Sequence, residues 1–350
     1  MENMTFEEFM KMVTEEIKGF LPEKYGESNV SISEIIKNND TKLHALTVSS
    51  PEGNIAPTIY LEQYYADYQD GNEFSDVMEQ IAQVRMDHEV GRDMDVSSLT
   101  DYEKVKGSIV PRLVNLEQNR ELLEDRPYTA IDDLAVTYHV FLGQHDGGTM
   151  SAPVTNEMMR MYGVDVKELH ETAISNMNEI TPSEFKSMGQ VMAEMMGDDF
   201  PKVLLPPDEG LMFVLSNRDK LHGASALLDE KMMQEVSERM QGDFYILPSS
   251  VHETIIVPKR AEMDRETLEA MVRDVNASQV APQERLSDHV YVYDSSKRQI
   301  HRADRDEAKL TVTVKSNSIL KKLEEKKQEA ATLNAERVKD MPDKAKGMAL

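Results

Sequence analysis

The chain has 350 residues, 40% of them hydrophobic and 29% charged, which predicts a globular protein of one large or two modest domains. Its 39 basic and 64 acidic residues give a formal net charge of −25, which argues against direct nucleic-acid binding through a general phosphate-binding surface. No apolar run approaches the roughly 20 residues that a membrane span needs, and the acidic N-terminus does not resemble a signal peptide. Because the chain has no cysteine for disulfides or thiol chemistry, we predict a cytoplasmic protein with no membrane association.

The first 130 residues are predicted to form an α+β subdomain. Apolar residues at helical spacing over 5–20, with the capping-box pair Thr5 and Glu8, predict a first helix. Turn residues, including Asn38-Asn39-Asp40, and period-two alternation then predict an antiparallel meander of three strands, around 30–32, 43–47 and 55–61. The apolar stripe over 74–84 predicts a helix that packs on this meander.

Residues 131–203 are predicted to form a hairpin followed by helices. The predicted elements are a strand at 134–142, a turn at 144–148, a returning strand at 149–152 and helices at 156–162 and 165–177. Thr181 and Glu184 repeat the capping-box spacing, with Pro182 at the first helical position, which predicts a methionine-rich helix that ends near Gly197. Upstream, the apolar run 105–114 contains Pro111 and is predicted to be irregular or an edge strand.

The sequence LLPPDE at 204–209 predicts a linker. The elements predicted after it are a strand at 211–215, a turn at 216–220, a returning strand at 223–226 and a helix at 227–240. Because this order matches that of 134–162, we predict one strand–turn–strand–helix architecture used twice. The predicted divisions are an N-terminal subdomain 1–130, a strand–turn–strand unit with helices 131–203, a linker 204–210, a C-terminal α+β subdomain 211–302 and a charged helical or disordered tail 303–350.

The stretch from Gln241 to Pro258 carries the most enzyme-like group of residues. It is predicted to form a buried strand at 244–247, a polar corner at 248–250 and a second strand at 254–257. The candidate site residues at this corner are Ser249, Ser250, His252 and Glu253, with Asp243 nearby.

Structural and functional interpretations of this corner stay open. A serine hydrolase needs an exposed hydroxyl, a base within hydrogen-bond reach and an oxyanion hole, but the corner has no Gly-x-Ser-x-Gly turn. Moreover, His252 and Glu253 would point to opposite faces of a regular strand. In the structural interpretation, Ser249 or Ser250 accepts backbone hydrogen bonds and His252 bonds a carbonyl. We rank structure above ligand binding and ligand binding above catalysis, so no catalytic residue is assigned.

Metal and nucleotide motifs are weak in this sequence. The His-Glu dipeptides at His88, His170 and His252 lack the second histidine of a zincin, and no EF-hand loop occurs. The glycine pair Gly147-Gly148 joins two predicted strands, and neither a Walker lysine nor a Gly-x-Gly-x-x-Gly motif is present. We therefore predict no metal and no cofactor.

The chain contains 24 methionines and no tryptophan. Many of the methionines fall on predicted helix stripes, where core packing is the default interpretation and a groove for a partner helix is the alternative. The acidic charge is spread along the chain, which indicates solubility, while an acidic face for a basic protein partner is the alternative.

Four segments resemble one family. They are NNDTKLHALTV (Asn38 to Val48), GNIAPTIYLEQYY (Gly53 to Tyr65), ILPSSVHETIIVP (Ile246 to Pro258) and VNASQVAPQERLSDHVYVYD (Val275 to Asp294). They look like those of the domain-of-unknown-function family numbered 5688, and the resemblance extends up to about Arg302. The middle of the chain, from Ala135 through the predicted helix at Leu169 to Asn176 (LHETAISN), also resembles a second uncharacterised bacterial family with a comparable strand–helix layout. The first resemblance implies a protein of anaerobic gut bacteria, often encoded near mobile genetic elements. Neither family brings an activity, cofactor or site residue.

We predict an α+β fold of two subdomains, with mixed or antiparallel sheets covered by helices. The function predicted first is that of a non-enzymatic acidic interaction or regulatory protein with a protein partner. The alternatives are a hydrolase or small-ligand-binding protein that uses the corner of Ser249, Ser250, His252 and Glu253, and an acidic inhibitor or DNA mimic that binds a basic protein.

Overall fold

The computed structural model describes residues 4–49, 56–88, 96–145, 148–196, 211–259 and 263–305. Over these ranges the fold is α+β with antiparallel sheets, as predicted. The α-helices are α1 (Phe6–Glu16), α2 (Leu61–Gln69), α3 (Phe74–Asp87), α4 (Tyr102–Val105), α5 (Arg120–Glu124), α6 (Asn156–Tyr162), α7 (Val166–Ile180), α8 (Met188–Met196), α9 (Glu230–Met240) and α10 (Arg265–Ser278). The strands are β1 (Val30–Ile36), β2 (Lys42–Val48), β3 (Thr58–Tyr60), β4 (Ile109–Asn115), β5 (Tyr128–Ile131), β6 (Leu134–His145), β7 (Gly148–Pro153), β8 (Ser183–Ser187), β9 (Phe213–Asn217), β10 (Phe244–Leu247), β11 (Thr254–Pro258), β12 (Tyr291–Asp294) and β13 (Gln299–Arg302). No helix within the described ranges is long and apolar enough to cross a membrane.

The chain divides into two units, Met1–Ile300 and His301–Leu350. Residues 306–350 of the predicted tail and the whole predicted linker, 204–210, lie outside the described residues. Within the first unit, the largest cluster of buried hydrophobic side chains contains residues from Val105 to Tyr293 and is called the main core. The finer subdomain boundaries at 130 and 203 stay a prediction.

The N-terminal layer follows the predicted pattern closely. The capping box at the start of α1 is present, because Thr5 N–H donates to Glu8 Oε2 at 2.8 Å and Glu8 N–H donates to Thr5 Oγ1 at 3.3 Å. α1 and α3 bury their apolar stripes against the three-stranded sheet β1-β2-β3. The third predicted strand is shorter than expected, since the chain enters α2 directly at Leu61.

The second sheet is built around the long strand β6. β4 pairs with one edge of β6, while β5 and then β7 pair with the other. β4 is therefore an edge strand, as its Pro111 predicts, and α7 packs against it. Alternation places Leu113 and Tyr138 in the main core and their neighbours Arg112 and His139 on the opposite face.

The third sheet has six strands in the order β13-β12-β10-β11-β9-β8. β10 and β11 pair antiparallel, with Ile246 opposite Ile256, so the predicted strand–corner–strand arrangement is confirmed. Tyr291 OH donates to Asp133 Oδ1 at 2.5 Å and thereby ties β12 to the hairpin that begins β6.

The predicted methionine-rich helix is present, but it begins at Met188 and the predicted start at Thr181 is wrong. Residues 183–187 form β8, which pairs with β9 and stacks Phe185 on Phe213 at a ring-centroid distance of 5.3 Å. The capping pair lies six residues later, where Ser187 N–H donates to Gln190 Oε1 at 2.8 Å and Gln190 N–H donates to Ser187 Oγ at 3.2 Å. Tertiary pairing with β9 thus overrides the local capping pattern at Thr181.

The returning strand predicted at 223–226 is also wrong. Residues Gly223–Leu228 form a 3-10 helix that lies buried beneath the corner of the third sheet. The small side chains of this 3-10 helix allow it to pack closely against the corner, and they do not belong to a strand pair. Because this second passage contains no hairpin, the proposed repetition of the 134–162 architecture fails.

The turn Asn38-Asn39-Asp40 joins three parts of the fold. The Asn39 side chain donates to the carbonyls of Pro282 at 2.7 Å and Arg285 at 2.9 Å. Asn39 and Asn119 exchange two further hydrogen bonds, of 2.7 and 3.1 Å. The Asp40 carboxylate accepts the N–H groups of residues 121 and 122, at 3.0 and 2.9 Å, and so caps α5 from outside that helix.

Replacement of Asn39 tests this junction. Asn39→Ala removes the side-chain hydrogen bonds and places alanine at a φ of 61°, so we expect the free energy of unfolding to fall by about 2–4 kcal/mol. Asn39→Gly loses the same bonds but tolerates the left-handed backbone, and it should lose about 1 kcal/mol less. Urea unfolding of the three proteins measures both effects. Two variants within experimental error of the wild type would contradict the assignment of a junction.

Candidate functional site

A cavity of about 600 Å³ lies where three parts of the Met1–Ile300 unit meet. The end of β1 and the following turn form one wall, the free face of the second sheet forms another, and the corner between β10 and β11 closes the third together with residues 283–284. Its size lies within the range of small-molecule binding sites.

Three cationic side chains line this cavity. Arg112 projects from β4, Arg126 lies between α5 and β5, and Lys37 follows β1. Arg112 Nη2 donates to Ser151 Oγ at 2.6 Å, and the Lys37 ammonium lies 4.6 Å from the Tyr60 ring centroid. None of the three forms an ion pair with a carboxylate of the described residues.

The two arginines are perturbed by burial and by each other. Burial, followed by repulsion from Arg126, lowers the pKa of Arg112 to about 10. Burial also lowers the pKa of Arg126, while Asp125 acts in the opposite direction. Both groups stay charged at neutral pH, so the cavity has a strongly positive wall inside an acidic protein.

Three histidines complete the polar lining. His222 N–H donates to His252 Nδ1 at 3.2 Å, and the two ring centroids are 5.4 Å apart. His252 Nε2 lies 3.7 Å from Glu284 Oε1. His139, on β6, is buried, and its Nδ1 has no hydrogen-bond partner among the described residues.

Two of these histidines are held neutral. Burial is the main cause that lowers the pKa of His139 well below its usual range, and Arg112 adds to it. Burial, Arg112 and His252 together lower the pKa of His222 to about 3. At neutral pH these rings are therefore hydrogen-bonding groups, and the positive charge comes from Lys37 and the two arginines.

Close backbone packing positions the corner. Ser250 Oγ accepts the N–H of His252 at 3.0 Å, and Ser216 Oγ donates to the carbonyl of His252 at 2.8 Å. A Cβ at Gly223 would lie 2.2 Å from Ser216 Oγ and 2.5 Å from the His252 carbonyl oxygen. Only glycine lets the 3-10 helix approach the corner this closely, and that approach brings His222 to His252.

Of the residues predicted at the corner, His252 lines the cavity, whereas Ser249, Ser250 and Glu253 do not. The Ser250 hydroxyl takes part in the turn just described, and no hydroxyl contacts the His252 imidazole within the described ranges. Asp243 lies at the opposite end of β10, where it accepts two hydrogen bonds from Ser295. The structural interpretation of these residues stays a prediction. The fold does not bring all of them together at one site.

Sequence reasoning missed most of the cavity lining. The missed polar residues include Lys37, Tyr60, Arg112, Arg126, His139, Ser151, His222, Gln283 and Glu284. Two of them carry a recognisable signal, because Arg112 and His139 interrupt predominantly apolar stretches of β4 and β6. A charged or imidazole side chain within a buried strand needs a partner or a polar cavity.

No group of three or more His, Asp or Glu side chains within the described ranges is arranged to hold a metal ion.

A second cavity, of about 680 Å³, contains His170, whose Nδ1 lies 3.1 Å from Tyr138 OH. Burial raises the pKa of Tyr138 to about 12, which keeps the phenol protonated. Glu171, Glu230 and Arg298 all line this cavity, so charged groups of both signs face it.

Comparison with known protein families gives a match over most of the chain. Residues 6–295 match the model of a family described as "Family of unknown function (DUF5688)". No curated protein and no solved structure matches the chain.

Gly223→Ala tests the packing that positions the histidines. Two of the three atoms nearest to the added Cβ belong to the backbone, at 2.5 and 2.6 Å, so the corner must move and we expect a loss of about 2 kcal/mol or more in unfolding free energy. Gly19→Ala is the matched control, because nothing lies within 4 Å of its Cβ and the change should be neutral or slightly stabilising. Thermal and urea unfolding compare the two. Equal effects would contradict this role of Gly223.

The lowered histidine pKa values predict acid sensitivity. Because the unfolded chain binds protons near pH 6.5 and folded His222 only near pH 3, stability is full above pH 6.5 and falls between these limits. The slope is at most about 1.4 kcal/mol per pH unit for each such histidine. Asparagine tolerates the φ of 53° at this position. The variant His222→Asn should therefore lose the part of the pH dependence of unfolding free energy that His222 contributes between pH 7 and 5. Parallel stability curves for the two proteins would overturn the assignment.

Proposed function

The chain belongs to the DUF5688 family, and we propose that it binds a small anionic ligand in the basic cavity. The observation that carries this proposal is the group of three cations, Lys37, Arg112 and Arg126, which face one cavity without a carboxylate partner among the described residues. A chain with a net charge of −25 has ample carboxylates to neutralise them, yet Glu284, the one acidic side chain among the described residues that line the cavity, lies beside His252.

Partly buried cations without an ion-pair partner carry a desolvation cost, which an anion would relieve. Burial of a guanidinium without a counter-charge is expensive, and two neighbouring guanidinium groups repel each other. An anion that contacts both removes the repulsion and forms charge-assisted hydrogen bonds, which contribute about 1.5–3 kcal/mol each. Arg112 and Arg126 are thus suited to bind an anion in a way that their sequence context alone does not indicate.

Ligand binding is better supported than hydrolysis at this site. A hydrolase that uses His252 requires a nucleophile in contact with the imidazole, and His252 Nδ1 instead accepts a backbone N–H from His222. In its neutral form His252 therefore carries its proton on Nε2, which faces Glu284. This arrangement fixes the ring as a hydrogen-bond donor at the edge of the cavity.

A protein partner is the second candidate function, and one observation favours it. Three methionines on one face of α8 are exposed, namely Met192, Met195 and Met196. Methionine side chains are adaptable and are common at surfaces that bind partner helices. We propose that this face binds another protein in the cytoplasm, a location that the absence of cysteine supports.

A phosphate titration tests anion binding. At constant ionic strength, inorganic phosphate should raise the melting temperature of the wild type above that in chloride, because a ligand of the folded state stabilises it. Arg126→Gln should weaken phosphate binding at least tenfold, since it removes a positive charge that contacts the anion. The substitution breaks no side-chain hydrogen bond within the described residues. Arg160→Gln, at an exposed position on α6, is the matched control and should leave the affinity within twofold. The same response in all three proteins would show that phosphate acts elsewhere and would reject the proposal.

A further inference from the structure

We propose that the ligand of the basic cavity is an organic phosphate monoester, whose phosphate contacts Arg112 and Arg126 and whose apolar group packs on the opposite wall. This inference rests on the proposed anion-binding function and specifies the chemical class of the ligand.

The cavity has an apolar wall as well as a basic one. Ile35 on β1 and Leu43 on β2 are direct cross-strand partners, and both line the cavity. Ile36 continues this wall and packs against a buried cluster that includes Val114 and Leu122. An inorganic anion would leave this apolar surface in contact with water, whereas an organic group would bury it.

The cavity volume points the same way. About 600 Å³ is typical of sites that enclose whole organic ligands, with polar groups at a few points and apolar side chains around the rest. A phosphate group that contacts two arginines occupies one end of such a space. The remaining volume is bordered by the wall of Ile35, Ile36 and Leu43.

The distribution of charge orients the ligand. Glu284 lies beside His252 at the corner and would repel an anion there. Arg112 and His139 lie on the same face of the second sheet, one on β4 and the other on β6, offset by two residue pairs in the register. The anionic group therefore binds at the sheet, next to Arg112, Arg126 and His139, and away from the corner.

Two guanidinium groups favour a phosphate over a carboxylate. A phosphate monoester carries about −1.5 to −2 charges at neutral pH and has three acceptor oxygens. It can accept hydrogen bonds from two arginines at once, whereas one carboxylate is matched to a single guanidinium fork. The buried imidazole of His139 adds a further hydrogen-bonding group on the same face.

Calorimetric titration of the full-length wild type with four probes tests this inference. The probes are phenyl phosphate, inorganic phosphate, benzoate and phenol. We expect phenyl phosphate to bind at least tenfold more tightly than each of the other three, because only this probe combines the dianion with an apolar ring.

Paired variants separate the two walls. Arg126→Gln should weaken both phosphates at least tenfold. Ile35→Thr should weaken phenyl phosphate at least threefold while leaving inorganic phosphate unchanged, because threonine keeps the β-branched shape but loses apolar surface. Val30→Thr, on the same strand but outside the cavity, is the control and should change neither affinity.

The outcomes distinguish this inference from the function on which it rests. If inorganic phosphate or benzoate binds within threefold of phenyl phosphate, the phosphate monoester is rejected while anion binding stands. If no anion binds the wild type, or if phenol binds as tightly as phenyl phosphate, anion binding itself is rejected. An effect of Ile35→Thr on both phosphates alike would remove the apolar wall from the site.

Discussion

The turn Asn38-Asn39-Asp40 is the constraint on which the cavity depends. The side chains of Asn38 and Asn39 donate hydrogen bonds to backbone carbonyls of the 282–285 segment. Asp40 caps α5, which lies in the chain between β4 and β5 of the second sheet. The N-terminal sheet is thereby fixed against two other parts of the first unit by hydrogen bonds to main-chain atoms. Lys37 and the apolar wall of Ile35 and Ile36 directly precede this turn, so the same contacts that join the parts also set the width of the cavity.

Strand alternation then decides which groups face that space. On the second sheet, one face supplies the main hydrophobic core and the other presents Arg112 and His139 to the cavity. The two arginines form no ion pair with a carboxylate of the described residues and repel each other, while burial keeps His139 and His222 neutral. A protein with a net charge of −25 thus contains a local positive site, because folding sorts charges by position and net charge reports only their sum.

Much of the local structure follows from the sequence, because local chemistry dictates it. The capping box at Thr5, the edge strand with Pro111 and the corner between β10 and β11 are all present, since capping, the missing proline N–H and strand alternation act over a few residues. The prediction at Thr181 is wrong for the complementary reason. That segment satisfies a local helix pattern, but pairing with a strand 26 residues or more away stabilises the extended chain instead.

By itself, the sequence determined the α+β class, the family resemblance and the position of His252 at a polar corner, because these depend on short-range patterns. Only the tertiary structure decided that Ser249 and Ser250 stay outside the cavity and that residues 37, 112, 126, 139 and 222 enter it. These five positions span 186 residues of chain and lie in separate strands and connecting segments. Their convergence requires long-range strand pairing, the Asn39 junction and the close approach at Gly223, none of which a local pattern encodes.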